Sequence, residues 1–446
     1  MLLHFNFNVK LNYPQCDFDL IRCPLPDLSD TIRNGRAIGR MRHKEEQMAV
    51  LQRTQGRRTL LEQIRQSGPI PRIELSDKTG ISRATVTTIT AELLQHGLIE
   101  EVTPEAPDPE HRRGRPRVDL RIRGGARLVA GGKIAHQKLS LVLLDFQGRR
   151  LGTLETDLGA PRQDPVALAT DLARAVDRLA REAGQSPGGI AGVGLGIPGM
   201  VEAETGMVHW SPSLSDRNIG FGRTLTQTLG VPAFIDNDAN LVALAERRFG
   251  LARDRSDFLV VTIESGVGLG LMIGGELYRG TRGCGAEFGH TKVHLDGALC
   301  RCGQRGCLEA YVADYALLRE AATLDTVPAE ADTGTRVQAL LSAAKRGDAN
   351  ARTILHRAGR MFAMGLANLV NLFDPELIIL AGEHVQFDHL FADEISAEMR
   401  KSIVQVDKPA PKVVVHRWDD LMWARGAAAF ALDQVSELAL AELSPT

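Results

Sequence analysis

One short stretch constrains this chain more than any other. From Glu287 the sequence reads Glu-Phe-Gly-His, then after nine residues Cys-Arg-Cys, and after four more Cys-Leu-Glu. His290, Cys300, Cys302 and Cys307 therefore bring one imidazole and three thiols within eighteen residues. Zn²⁺ in a structural site takes about four N/S ligands in a tetrahedron, so this set fills the shell and leaves no position for catalytic water. The spacing predicts a structural zinc site on an irregular loop. Glu287 lies three residues before the first ligand and Glu309 two after the last, so a metal that pins the loop should pin both carboxylates.

The remaining cysteines, Cys16, Cys23 and Cys284, lack any framework spacing, which argues against a disulfide scaffold. A chain of 446 residues with 43% hydrophobic content can supply cores for more than one domain. No run of about eighteen apolar residues occurs, and the N-terminus lacks the basic-then-apolar order of a signal peptide. A cytoplasmic address and no membrane partner are expected. The net charge of -2 excludes nothing, because a local basic patch can hide in a neutral total.

Met1 to Arg40 is irregular, with Pro14, Pro24 and Pro26. It reads as a disordered tail or as the product of an upstream start codon, with Met41 the alternative start. From Arg57 the texture changes. Leu60, Leu61 and Ile64 form a helical apolar face that Ser67-Gly68-Pro69 stops, and a second short helix with Ile73 and Leu75 runs to Thr79. Gly80 supplies a turn, and Ser82 caps a third helix whose Val86, Ile89, Leu93 and Leu94 repeat every three or four residues. This order predicts a helix-turn-helix. Its third helix carries Ser82, Arg83, Thr85, Thr87 and Thr88 on the opposite face, short hydroxyls and one Arg suited to phosphates and base edges in a major groove.

Strands are expected from Gly97 to Val102 and near Val118 to Ile122, which completes a winged helix. The hairpin tip reads His-Arg-Arg-Gly-Arg-Pro-Arg, and His111 to Arg123 holds six Arg against one Asp. Arg112, Arg113, Arg115 and Arg117, in an extended Gly/Pro segment, are expected to reach phosphates or a narrow minor groove. Together, helix and wing predict binding to duplex operator DNA.

From Leu128 onward strands and amphipathic helices alternate: strands at Leu139 to Phe146, Ile190 to Ile197, Phe234-Ile235, Phe258 to Ile263 and Leu377 to Leu380, helices at Ala169 to Ala183 and Ala358 to Leu372. Such alternation predicts α/β sheets with sites at the strand ends.

Four segments carry a resemblance: Gly194-Leu195-Gly196-Ile197-Pro198-Gly199, Asp236-Asn237-Asp238-Ala239-Asn240, Glu287-Phe288-Gly289-His290, and the run from Cys300 to Glu309. From about Gly125 to the C-terminus the chain resembles the ROK family of sugar kinases and repressors, and with the winged helix ahead of it, the NagC/XylR type of repressor. The resemblance implies an α/β chain in which a winged helix-turn-helix is followed by a two-lobed, actin-like domain with sugar in its cleft. The expected division is a tail over 1–45, a DNA-binding domain over 46–124 and a sugar-binding domain with the zinc site over 125–446. By the same resemblance Asn237, Asp238, Glu287, His290 and Glu309 are the sugar contacts, and Asp238 stands where family kinases keep their general base.

The nucleotide side departs from the family. Its Asp-x-Gly-Gly-Thr loop aligns with Lys133-Ile134-Ala135-His136-Gln137, which keeps neither the acid nor the glycines. Its Gly-Thr-Gly loop reads Glu264-Ser265-Gly266-Val267-Gly268, placing a carboxylate where phosphate would lie, and its late Gly-Gly is reduced to Ala381-Gly382-Glu383-His384. Repulsion between those anions disfavours ATP. The expectation is a sugar-responsive transcriptional regulator, more a repressor than an activator, acting as a homodimer or homotetramer and not as an enzyme. Two readings stand against it: a functioning sugar kinase with an appended DNA-binding domain, and a constitutive DNA-binding protein with a vestigial pocket.

Overall fold

The computed structural model describes residues 52–103, 118–135, 137–382, 393–404, 409–417 and 421–443. A helix ends at residue 67, followed by helices Arg72–Thr79 and Arg83–Gln95. Gly80, at φ 69°, takes the left-handed conformation that lets the chain reverse between the last two. Ser82 caps the third helix by accepting from the Thr85 amide at 3.2 Å. Strands Ile99–Val102 and Asp119–Ile122 pair antiparallel, Ile99 opposite Ile122, and the short strand Ile70–Pro71 adds to the second of them. The wing tip, with Arg112, Arg113, Arg115 and Arg117, lies outside the described residues.

Two five-stranded sheets follow. In the first, strand Leu128–Ala135 lies between Lys138–Asp145, antiparallel, and Ile190–Ile197, parallel, with Arg150–Asp157 and Ala233–Asn237 at the edges. In the second, Phe258–Ile263 pairs antiparallel with Val267–Ile273 and parallel with Leu377–Ala381, flanked by Glu276–Leu277 and Lys412–Val415. This is the two-lobed, actin-like architecture. The helix Asp238–Phe249 and the C-terminal helix Met422–Ala441 lie between the lobes. Glycine permits the close approach: a Cβ on Gly194 would strike the Ala427 carbonyl, and one on Gly426 the Leu241 carbonyl.

Several helices extend past the expected limits. Pro165–Glu182 begins four residues before Ala169 because Asp164 caps it, and Ala349–Phe373 begins at an Asp348 cap, nine residues ahead of Ala358. One apolar core joins Leu60, Leu61 and Ile64 of the winged helix to Val142, Leu144 and Phe146 of the first sheet and to Ala428, Leu432 and Val435 of the C-terminal helix. The winged helix is therefore seated on the sheet-and-helix body. No described helix is long and apolar enough to cross a membrane.

Candidate metal centre and cleft

The loop after Val267–Ile273 is folded by its own backbone. Cys300 N–H donates to the Gln304 carbonyl at 2.8 Å and Gly303 N–H to the Cys300 carbonyl at 3.0 Å, closing a knuckle around Cys302. Lys292 bridges to Cys307, which returns the last thiol toward His290. As a result one ligand atom from each of His290, Cys300, Cys302 and Cys307 lies within 4.8 Å of the others. Zn–S bonds of about 2.3 Å at tetrahedral angles place sulfurs about 3.8 Å apart. Cys302 and Cys307 sulfurs are 3.7 Å apart, and Cys300 Sγ is 3.7 Å from His290 Nδ1. The four can hold a metal ion. Burial pushes the bare Cys300 thiol up to about 12, with the Glu309 charge adding to it; a cation held by the four would stabilise the thiolate and so offset that penalty. Burial also opposes ionisation of Cys302, but the Gln304 amide, the neighbouring thiols and Lys292 outweigh it and lower its pKa.

The two carboxylates that flank the loop are placed differently. Glu309 is buried: its Oε1 accepts from the Tyr315 hydroxyl at 3.3 Å and lies 3.5 Å from Cys300 Sγ, while Oε2 faces the Val267 amide at 3.4 Å. Glu287 is half exposed at the cleft wall, 3.9 Å from His290 Nε2. The imidazole therefore divides its two nitrogens, Nδ1 toward the thiols and Nε2 toward Glu287 and the cleft. Burial raises the Glu287 pKa, His290 opposes that, and the charges of Glu309 and Asp238 reinforce it. Ahead of it Ala286 holds φ 64°, a strained value for a residue with a Cβ.

Across the cleft, Asn237 caps helix Asp238–Phe249. Its Oδ1 accepts from Ala239 N–H, and its Nδ2 donates to the Gly199 carbonyl, both at 2.9 Å. Asp238 occupies the first turn and lines the same cavity as Glu287, His290 and Glu309, about 780 Å³ in volume. All five expected sugar contacts are thus gathered on one cavity. Sequence reasoning missed the residue behind them. Asp236, fully buried, accepts from Asn237 N–H at 2.7 Å and Asn240 Nδ2 at 2.9 Å, and its other oxygen pairs with Arg279 Nη2 at 2.7 Å. It fixes the turn that presents Asn237 and Asp238. A buried Asp beside an Asn-Asp pair was visible in the sequence, but its Arg279 partner is forty-three residues away.

At the positions that align with the phosphate loops, Lys133 and Glu264 meet across the cleft. Lys133 Nζ lies 3.2 Å from Glu264 Oε2 and 3.5 Å from the centre of the Trp423 ring, and the lysine is nearly buried. An ion pair between the lobes thus joins the two segments whose family counterparts were expected to hold phosphate. His136, Glu383 and His384 lie outside the described residues.

On the third helix Ser82, Arg83, Thr85, Thr87 and Thr88 are all exposed. Thr87 and Thr88 donate their hydroxyl protons to the Arg83 and Ala84 carbonyls, at 2.8 and 3.2 Å, leaving oxygen lone pairs outward.

The two-lobed, actin-like body is a fold shared by sugar kinases and transcriptional regulators, and this chain carries a winged helix ahead of it. The ROK family profile matches residues 134–434, more than half of the chain, and a MarR family profile matches 54–105. The chain belongs to the ROK family. It is 29% identical over 338 residues to a xylose repressor of Caldicellulosiruptor bescii, covering 73% of this chain and 82% of that one. It is 28% identical over 342 residues to the DNA-binding transcriptional dual regulator NagC of Escherichia coli, covering 75% and 82%. Among solved structures it resembles a ROK family transcriptional regulator, a homologue of the E. coli MLC protein, with a TM-score of 0.75 at 25% identity over 88% of this chain and 98% of that one. It also resembles a ROK hexokinase of Thermus thermophilus, with a TM-score of 0.57 at 30% identity over 68% and 97%.

Proposed function

We propose that this protein is a sugar-responsive DNA-binding transcriptional repressor whose kinase-like cleft senses its effector without phosphorylating it. Relatives along most of the chain are a xylose repressor and NagC, and the MarR-type region stands where they would carry DNA binding. The observation that carries the reading is the Lys133–Glu264 pair. Phosphoryl transfer depends on positioned donors and metal around the nucleotide phosphates, and here a carboxylate and its lysine fill that position at 3.2 Å. The sugar end keeps its polar groups while the nucleotide end is closed by the protein itself. Retention of Asp238 and the similarity to a hexokinase favour the second reading, a sugar kinase with an appended DNA-binding domain, and ATP binding decides between them.

In this reading a structural Zn²⁺ is held by His290, Cys300, Cys302 and Cys307 and preorganises the loop. Asn237, Asp238, Glu287, His290 and Glu309 grip the sugar, and Ser82, Arg83, Thr85, Thr87 and Thr88 read operator DNA with the wing arginines. Two copies in a homodimer or homotetramer present paired winged helices to a pseudo-palindromic site, in the cytoplasm. Sugar shifts DNA affinity only through its differential affinity for the two states. The test is Glu287→Ala, followed by gel shift on a DNA fragment the wild-type protein retains. DNA binding should persist while release by sugar disappears; a retained sugar response would overturn the site assignment.

A further inference from the structure

The cleft is larger than one sugar ring needs. Cavities that enclose drug-sized ligands run about 300–1,000 Å³, and this one holds about 780 Å³. None of that room serves a nucleotide in the proposed function, because Lys133 and Glu264 occupy the phosphate position. What lines the other side is a hairpin. Strands Met200–Glu202 and Met207–Trp210 pair antiparallel with Met200 opposite Trp210, so both side chains share one face of the ribbon. Both line the cavity, and they remain 39% and 40% exposed, large apolar groups left in water beside a polar site. Pro198 and Pro212 extend the same wall. The hairpin is tied to the Asn237-Asp238 turn directly, since Asn237 Nδ2 donates to the carbonyl of Gly199, the residue before Met200.

The charges of the cavity restrict what fits. Asp238, Glu287 and Glu309 line it close to His290, and Glu264 is matched by Lys133. Arg217 and Arg301 also line it, but both are exposed, and Arg301 lies over the Tyr315 ring at 4.0 Å. A phosphate or carboxylate placed among those acids meets like charge at short range, where solvent screens least. Hydroxyls do not, because they donate to carboxylates.

We propose that the cavity takes an uncharged saccharide of at least two rings, one ring held at Asp238, Glu287 and His290 and the next laid on the Met200–Trp210 face. This rests on the reading of the cleft as a sugar site. The flat, apolar underside of a pyranose, bearing only C–H groups, matches the large rigid surface of an indole. Each ring then uses different chemistry: hydrogen bonds fix the first, and apolar contact selects for the second.

Isothermal titration of the full chain tests this with maltose, cellobiose and xylobiose, their one-ring counterparts glucose and xylose, and glucose 6-phosphate. At least one disaccharide should bind more tightly than its monosaccharide, and glucose 6-phosphate more weakly than glucose. Trp210→Ala should weaken the disaccharide about tenfold more than the monosaccharide, with most of the loss recovered in Trp210→Phe. Trp210 is partly exposed, so an unchanged melting temperature is expected and separates lost contact from misfolding. Equal losses for one-ring and two-ring probes, no disaccharide bound, or tighter binding of the phosphate would each overturn the proposal. Sugar binding that Glu287→Ala abolishes and Trp210→Ala leaves untouched overturns the second subsite alone; binding that neither variant alters overturns the sugar site with it.

Discussion

Lys133 and Cys302 show how single side chains decide what the cleft can do. Lys133 sits on a central strand, almost out of water, and its ammonium is tolerated because Glu264 and the Trp423 face offset the lost hydration. Thermal unfolding with millimolar ATP should show no rise in the wild-type midpoint, since a native-state ligand must raise it; a rise would restore the kinase reading. Lys133→Met should destabilise the protein toward the lower end of the about 3–5 kcal/mol typical of breaking a buried pair, because Glu264 loses that ion partner while keeping some solvent. Cys302 belongs to the group of four that can hold a metal ion. Cys302→Ser is expected to lower metal content, melting temperature and sugar affinity together, as metal analysis and calorimetry would show. Unchanged sugar affinity would mean that the loop does not organise the pocket.

The helix Asp238–Phe249 is the element that connects the cleft to the DNA-binding unit. Twelve residues at about 1.5 Å rise span roughly 18 Å, with Asp238 at one end and Arg248 near the other. Arg248 lies 3.5 Å from Glu62, on the helix that ends at residue 67, and also pairs with Asp433 of the C-terminal helix. Arg65 joins the cluster, 2.8 Å from Glu62 and donating to Ser436 Oγ at 3.0 Å. The helix therefore runs from the turn at the cleft to a charged contact with the winged helix, a route by which we propose sugar binding alters DNA affinity. Arg248→Met is expected to leave sugar binding near wild type while reducing sugar-driven release from DNA, read by gel shift against sugar concentration; full release would remove this helix from the route. Burial opposes ionisation of Glu62, but Arg248 and Arg65 outweigh it and hold its pKa at about 2, against 4.5 ordinarily. A depressed folded value contributes stability above the unfolded pKa and loses it as pH falls from about 4.5 toward 2. Asp433, raised by burial, works in the opposite direction and blunts the effect. Glu62→Gln should flatten that acid limb in pH-dependent melting curves.

For the molecule as a whole, one apolar core joins the winged helix to the first sheet and the C-terminal helix, with Leu60 and Ile64 packed among Phe146, Leu432 and Val435. Local chemistry was legible in the sequence wherever a few adjacent residues carried it. Gly80 and Ser82 marked the helix-turn-helix, the His/Cys₃ spacing marked the metal loop, and strands such as Ile190–Ile197 showed as short apolar runs. The C-terminal helix Met422–Ala441 was not legible, because it is apolar around most of its circumference and buried between sheets and helices, which erases the periodicity of a surface helix. Nor were the partnerships across the fold. Asp236 with Arg279, Lys133 with Glu264, and Arg248 with Glu62 are separated by 43, 131 and 186 residues, the last from 248 − 62. The sequence by itself determined which groups were available, the ligand set of the metal loop and the loss of the phosphate glycines. Only the tertiary structure decided that Lys133 meets Glu264 in an ion pair and that helix Asp238–Phe249 ends against the winged helix, because such pairings depend on how distant strands and helices are brought together and carry no local pattern.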